Sequence, residues 1–516
     1  MPLRRFGELA SLAAGLPGFL RTAITVGGAA ASVRQRVDRR ETLFLEAADS
    51  LIYGSERSPV RRLLLHAGCE AGDLRKAVTL DGIEMTLARL RREGVYFSSE
   101  ELRGREPVRR GSFVMDTEMG DFDGTTSRGG IRGATSGSTG PAIPVRYTWP
   151  FLAEEAENEL LLLDSHGVAH AALALWMPGP PGIAGLHNLL LHARAGRPPE
   201  RWFSPTRCEP GAPFTIRMID GGVQAASRLL PGFGPSPEWA PYERPDAVIR
   251  WLTGVQGPAV LKAFASSVTR IASIALESTV SLEGKIAFAG GEPLSSRARA
   301  VIASAGLKVY PRYVATETGL IAGGCPSNGD AMHLYSDRLA VIATNGGEVS
   351  KLAFTSLSPH SPRVLFNAEL GDQGRLSENE CGCALGRAGL SRFVSDVSSP
   401  EKVGAAGVKL WMKDFEALVV EAVIDLGGDA DAFQIWLDES DAATSRIRIA
   451  LLPDSPLDAG TLLVRVREAL PRLPAGALAS LQWRDTGALT VIRANPRLSA
   501  GQKMLRVVRR AVDDES

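Results

Sequence analysis

The sequence predicts an α/β protein in two parts: a large N-terminal domain of layered α/β sheets over residues 1–395 and a small C-terminal α+β domain over 396–516. Three observations lead there. At 516 residues the chain has room for more than one domain of about 100 to 200 residues. Its middle alternates short apolar runs with helical pattern, as strands buried beneath helices do. Beyond residue 395 the style changes to period-two runs interleaved with helical segments, which suits a compact domain with its own sheet.

The elements follow in chain order. Residues 1–60 read as a helical lead-in. Basic and then apolar residues at the extreme N-terminus imitate an export signal, but Glu8, Pro17 and Arg21 interrupt the pattern. The uncharged stretch 22–33 is too short to span a bilayer, so helices packed on the body are expected and membrane contact is not. A helical pattern from Ile83 stops at Gly94, a C-terminal cap. Residues 124–141 are too rich in Gly, Ser and Thr for a helix or central strand and read as a loop. The uncharged stretch 165–193 holds Pro178, Pro180 and Pro181 and reads as strand, turn and helix. Apolar runs at Lys285, Lys308, Arg338 and Lys351 read as strands, with a helix over 297–305. In the small domain, helices are expected near 415–426 and 462–470, with strands at FQIWL, RIRIALL and LTVIR. The boundary falls between 394 and 401, in a polar, turn-prone segment.

Composition removes several function classes. Basic and acidic residues number 58 each, so no net field draws in a polyanion, and nucleic-acid binding is not expected. Five cysteines in a chain this long are too few for a disulfide scaffold, and a reducing cytoplasm is the expected location. Only nine of the basic residues are lysines, so a lysine beside a motif stands out.

Thr135, Ser136, Gly137, Ser138, Thr139 and Gly140 combine hydroxyls with glycine-freed backbone N–H groups. Such a turn can wrap polyphosphate oxygens or serve as a flexible linker. No Gly-Lys-Ser/Thr follows, so it is not a Walker loop. Later come Gly290, Gly291, Glu292 and Pro293, then Tyr313, Val314, Ala315, Thr316 and Glu317, then Gly371 and Asp372, and finally Lys503. In this order the motifs resemble the adenylate-forming superfamily of acyl-CoA synthetases, and within it the phenylacetate–CoA ligase-like branch. The likeness runs from about residue 50 to 510.

The resemblance implies a large adenylate-forming domain and a mobile small one that pivots near 396–402. It implies an ATP-dependent ligase that makes an acyl-adenylate and then an acyl-CoA thioester from an aryl or fatty acid. Residues 135–140 would hold the β and γ phosphates, and Gly290 to Pro293 would line the adenine side. Tyr313 would stack near adenine, Thr316 would contact the α-phosphate, and Glu317 would bind Mg²⁺. Asp372 would accept the ribose hydroxyls. Lys503, which on spacing alone reads as a solvated tail lysine, would reach between carboxylate and α-phosphate. The expected partners are thus a carboxylic acid, ATP and coenzyme A, with a carrier protein or amine as alternative acceptors. A homodimer is a candidate assembly, and a non-catalytic nucleotide-binding homologue is the alternative class. The chain departs from the pattern at Val314, at Glu369 and Leu370 before Gly371, at Gln502, and in lacking a lysine after the phosphate loop.

Cys325 and His333 flank a turn with Pro326, Asn328 and Gly329, while Cys381 and Cys383 flank Gly382. Two such clusters suit a closed tetrahedral zinc site of three thiolates and one imidazole. Buried or surface thiols and a hydrogen-bonded histidine are the alternative. Some members of the resembling branch share the pattern, which implies structural zinc. Cys69 reads as core, and His187 either as a satisfied interior histidine or as lining of an acyl pocket.

Overall fold

The computed structural model describes residues 15–124, 129–134, 144–180, 182–208, 214–439, 445–473, 475–497 and 506–510. Their strands gather mainly into one twelve-stranded sheet. Lys308–Ala315 stands at its middle. On one side it pairs in parallel with Lys285–Gly290, followed by Ala259–Phe264, Ala172–Trp176, Arg201–Ser204 and the short edge strand Glu238–Trp239. Lys285–Gly290 and Ala259–Phe264 are almost wholly buried and apolar but for Lys285 and Lys262, as parallel strands covered on both faces must be.

On its other side Lys308–Ala315 meets Gly319–Gly324 antiparallel, and the sheet continues through Met332–Leu334, Arg392–Ser398, Ala368–Glu378, Ser350–Ser356 and Leu339–Ala343. This antiparallel half departs from the expectation of an alternating α/β body. The reason lies in the connections. Turns such as the one between Ala315 and Gly319 are far shorter than the dozen or so residues a parallel crossover needs, so the chain returns as hairpins.

The helices Trp149–Ser165 and Ala184–Arg194 pack on one face of the parallel half, sharing a core with Leu175, Val260 and Phe288. Ala265–Glu277 and Ser296–Ser304 cover the opposite face over Leu261, Ala263 and Ala287. The described part of the lead-in, from residue 15, is largely helical, and its helix Val26–Asp38 lies against Trp149–Ser165. The helix expected from Ile83 is the second half of Ala71–Arg92, which breaks at Gly82. No helix among the described residues is long and apolar enough to cross a membrane.

Arg392–Ser398 belongs to the large sheet, and three residues later the hairpin Lys402–Ala405 and Val408–Trp411 begins a separate apolar core. That core closes under the helices Met412–Asp425, Ala459–Ala469 and Gly476–Asp485 and the sheet Leu489–Arg493, Ser445–Leu451, Phe433–Glu439, Val507–Arg510. Trp483 is its largest fully buried side chain. It meets Phe415 edge to face at 5.8 Å and donates its indole N–H to the Ala405 carbonyl at 2.8 Å. Trp483→Ala should destabilise this unit by about 3 to 5 kcal/mol in denaturant unfolding, through cavity formation and an orphaned carbonyl.

Candidate functional site

Two of the resembled motifs fall at the C-terminal ends of central strands paired in parallel, where open α/β sheets place their ligands. Lys285–Gly290 runs straight into Gly291, Glu292 and Pro293. Lys308–Ala315 carries Tyr313 near its C-terminal end and is followed by a turn of residues 316–318 bearing Thr316 and Glu317. Val314, where the family pattern has glycine, sits at a register shift in the pairing with Gly319–Gly324. A bulge therefore makes the local change of direction.

Tyr313 is buried and donates its hydroxyl to Asp372 Oδ2 at 2.8 Å. Two of the expected nucleotide contacts, 59 residues apart in sequence, are thus in direct contact. Asp372 Oδ1 accepts from Ser399 Oγ at 2.5 Å and from Lys402 Nζ at 3.0 Å. Burial alone would raise its carboxyl. Lys402 and Lys409, with the hydroxyls of Ser399 and Tyr313, hold it below the ordinary carboxylate range. Glu292 is equally engaged: Ser266 N–H donates to Oε2 at 2.9 Å and Gly407 N–H to Oε1 at 2.6 Å. Both carboxylates therefore hold the small unit against the large one in this arrangement.

Gly371 explains why that contact is close. Its φ is +76°, and a Cβ there would lie 2.4 Å from the Trp411 ring. Arg103, from the helical turn Ser99–Leu102, stacks its guanidinium on Trp411 at 3.7 Å. Burial pulls Arg103 down to about 10, and Glu317 is the foremost carboxylate opposing that shift. Arg105 adds an ion pair to Asp414 at 2.7 Å. Neither Arg103 nor Trp411 stood out in the sequence, because the only signal is proximity created by folding.

Thr135, Ser136, Gly137, Ser138, Thr139, Gly140 and Lys503 lie outside the described residues. The strands that flank the first six are described: Ile131–Ala134 pairs antiparallel with Pro144–Tyr147. At the base of this hairpin Tyr147 donates its hydroxyl to the Thr316 carbonyl at 2.8 Å. The two strands flanking that segment are therefore anchored on the turn that bears Glu317.

The second constellation is also brought together. One ligand atom from each of Cys325, His333, Cys381 and Cys383 lies within 4.8 Å of the others. Cys325 Sγ is 3.5 Å from Cys381 Sγ, and Cys383 Sγ is 3.2 Å from His333 Nε2. His333 Nδ1 lies 2.6 Å from the Leu390 carbonyl. A carbonyl can only accept, so Nδ1 bears the proton and the Nε2 lone pair faces the thiols. Burial would raise the Cys383 thiol, but His333 beside it and the Gly386 N–H outweigh burial and bring the thiol down to about 6. Three sulfurs and one imidazole nitrogen at this separation match the donor set and size of a closed tetrahedral zinc site.

By sequence, no protein-family model and no curated protein matches this chain. Among solved structures, 2-hydroxyisobutyryl-CoA ligase in complex with 2-HIB-AMP and CoA in the thioesterification state aligns over 93% of this chain and 90% of its own. The identity is 15% and the TM-score 0.56. This chain has the fold of that CoA ligase. An o-succinylbenzoate CoA synthetase from Bacillus subtilis, bound with a product analogue, aligns over 75% of this chain and 69% of its own at 15% identity and a TM-score of 0.41. The likeness in fold extends over nearly the whole chain.

Proposed function

We propose that the protein activates a carboxylic acid with ATP as an acyl-adenylate and transfers the acyl group to a thiol, coenzyme A. One observation supports this most: the Tyr313–Asp372 and Tyr147–Thr316 contacts bring the segment 313–317 against Asp372 and against the strand that follows residues 135–140, in a chain with the fold of a CoA ligase.

In the first step a substrate carboxylate oxygen attacks the α-phosphorus and the bond to pyrophosphate breaks. Two anions approach, so the protein's task is charge neutralisation and in-line positioning. Thr135 to Gly140 would hold the outer phosphates, Thr316 the α-phosphate, and Lys503 the carboxylate and α-phosphate together. Gly290 to Pro293 would border adenine, with Tyr313 beside it and Asp372 on the ribose, after Ser399 and Lys402 have left it. Glu317 would hold Mg²⁺, which when bound withdraws charge from the phosphate oxygens. In the second step the thiol loses its proton, its sulfur bonds to the acyl carbon, and AMP leaves. A swing of the small unit about residues 399–401 would separate the steps. Cys325, His333, Cys381 and Cys383 would hold zinc in a structural role.

A cavity of about 170 Å³ between the two units supports a thiol acceptor. It is lined by Tyr242, Ser266 and Arg270 on one side and by Arg446 and Thr486 on the other. Ser266 Oγ is buried without a partner, as is Gln482 Oε1 beside an adjoining pocket. Unsatisfied buried polar atoms favour an amide-bearing arm, and the two arginines favour phosphate. A panel of carboxylic acids should elicit pyrophosphate release from ATP with at least one aryl or fatty acid, and a thioester when coenzyme A is added. Release without a thioester would move the acceptor to a carrier protein or an amine. ATP binding with no release for any acid would leave only a nucleotide-binding homologue.

A further inference from the structure

The helix Trp149–Ser165 directs two carboxylates, Glu155 and Glu159, four residues apart and almost wholly buried, toward the sheet. None of the roles above uses them. Glu159 is matched by Lys262 at 2.6 Å and Arg312 at 2.5 Å, a closed ionic cluster. Glu155 is different, because its partners lie on the segments that would bind substrates. Its Oε2 is 2.5 Å from Nε2 of His187, on the helix Ala184–Arg194. Its Oε1 accepts the Leu320 N–H at 2.5 Å, immediately after the turn that bears Thr316 and Glu317. Arg338 closes the arrangement, donating to the Leu320 carbonyl at 3.0 Å and lying 3.5 Å from Glu155 Oε1.

The fit around Glu155 is tight. Gly319 has φ +70°, and a Cβ there would fall 2.1 Å from Glu155 Oε1. The carboxylate thus occupies space that any other residue at 319 would claim. On the far side of the pair, the Tyr147 ring packs against His187 with centroids 5.1 Å apart, while its hydroxyl holds the Thr316 carbonyl. Three elements therefore meet at one buried pair: the paired strands Ile131–Ala134 and Pro144–Tyr147, the turn bearing Thr316 and Glu317, and the helix bearing His187.

We infer that Glu155 and His187 are a positioning pair, acting through Leu320 and Tyr147 to hold Thr316 and Glu317 in register with the phosphate-binding hairpin. The inference rests on the proposed adenylation reading. Neither residue touches the reacting atoms; displacement of the turn by a fraction of an ångström is what their loss would cause.

The test combines Mg²⁺-dependent ATP binding by titration calorimetry with acid-dependent pyrophosphate exchange, on the full-length chain. Glu155→Gln keeps the volume but removes the charge that His187 and Arg338 face. It is expected to lower the exchange kcat about 10- to 100-fold and to raise the Mg²⁺ concentration at half-saturation, with the KM for the acid unchanged. His187→Gln should shift the same two quantities by a smaller factor, and Glu155→Asp should recover part of the loss. Melting temperatures identify any variant that fails to fold, in which case the His187→Gln result decides. A folded Glu155→Gln or His187→Gln protein with wild-type kcat and Mg²⁺ dependence would overturn the pair's role. A wild-type protein that binds no Mg·ATP would instead overturn the adenylation reading, and the inference with it.

Discussion

Lys503→Ala should lower acid-dependent pyrophosphate exchange by about 100- to 1,000-fold, the usual effect of removing one preorganised group from a charge-stabilising site. ATP binding and the melting temperature should stay at wild-type values. The first half of that expectation follows from the chemistry: a carboxylate meeting a phosphate needs a cation between them, and a compact ammonium on a flexible stem can be delivered there by a separate unit. The second half follows from the packing. The described core of the small unit runs from Val403 to Val507 and is closed by apolar side chains. Lys503→Arg should not restore the rate, because a planar guanidinium presents its charge over a wider and differently shaped surface. Unchanged exchange in Lys503→Ala would remove this residue from the mechanism. Lys402 and Lys409, which already face Asp372, would then be the cations to test next.

Sequence reasoning reached those parts of the molecule that are written in short contiguous patterns. The parallel strands were legible because a strand buried on both faces must be apolar throughout, as Lys285–Gly290 is apart from its first residue. The turn bearing Thr316 and Glu317, the Gly290 to Pro293 segment and the paired cysteines were legible as motifs. The antiparallel half was not, since the run at Arg338 looks the same whether its neighbour returns as a hairpin or crosses over. Position in the site was also invisible where it depends on distant partners. His187 meets Glu155 from a different helix, 32 residues away, and Arg103 meets Trp411 across the two units. Asp372 was legible as a residue but not in its present state, paired with Ser399 and Lys402 rather than open.

Zinc removal should be the second large effect, and it should appear in stability before it appears in catalysis. The strand Gly319–Gly324 separates Cys325 from the turn bearing Glu317 by about 20 Å at roughly 3.4 Å per residue. A metal there cannot touch the nucleotide. What it joins is the end of that strand, through Cys325, to His333 on the neighbouring strand and to Cys381 and Cys383 beyond the strand that bears Asp372. Protein purified without chelator is expected to hold about one zinc per chain. Cys383→Ser should lose it and melt roughly 3 to 4 °C lower, the equivalent of about 3 kcal/mol in a unit of about 400 residues. Exhaustive chelation should bring the wild-type protein to the same melting temperature while leaving that of Cys383→Ser unmoved. That convergence separates metal loss from mere repacking, because a buried thiol with no metal on it would respond to substitution but not to chelator. Zinc-free wild-type protein with an unaltered melting temperature would show that the four side chains are held together by packing and hydrogen bonds alone.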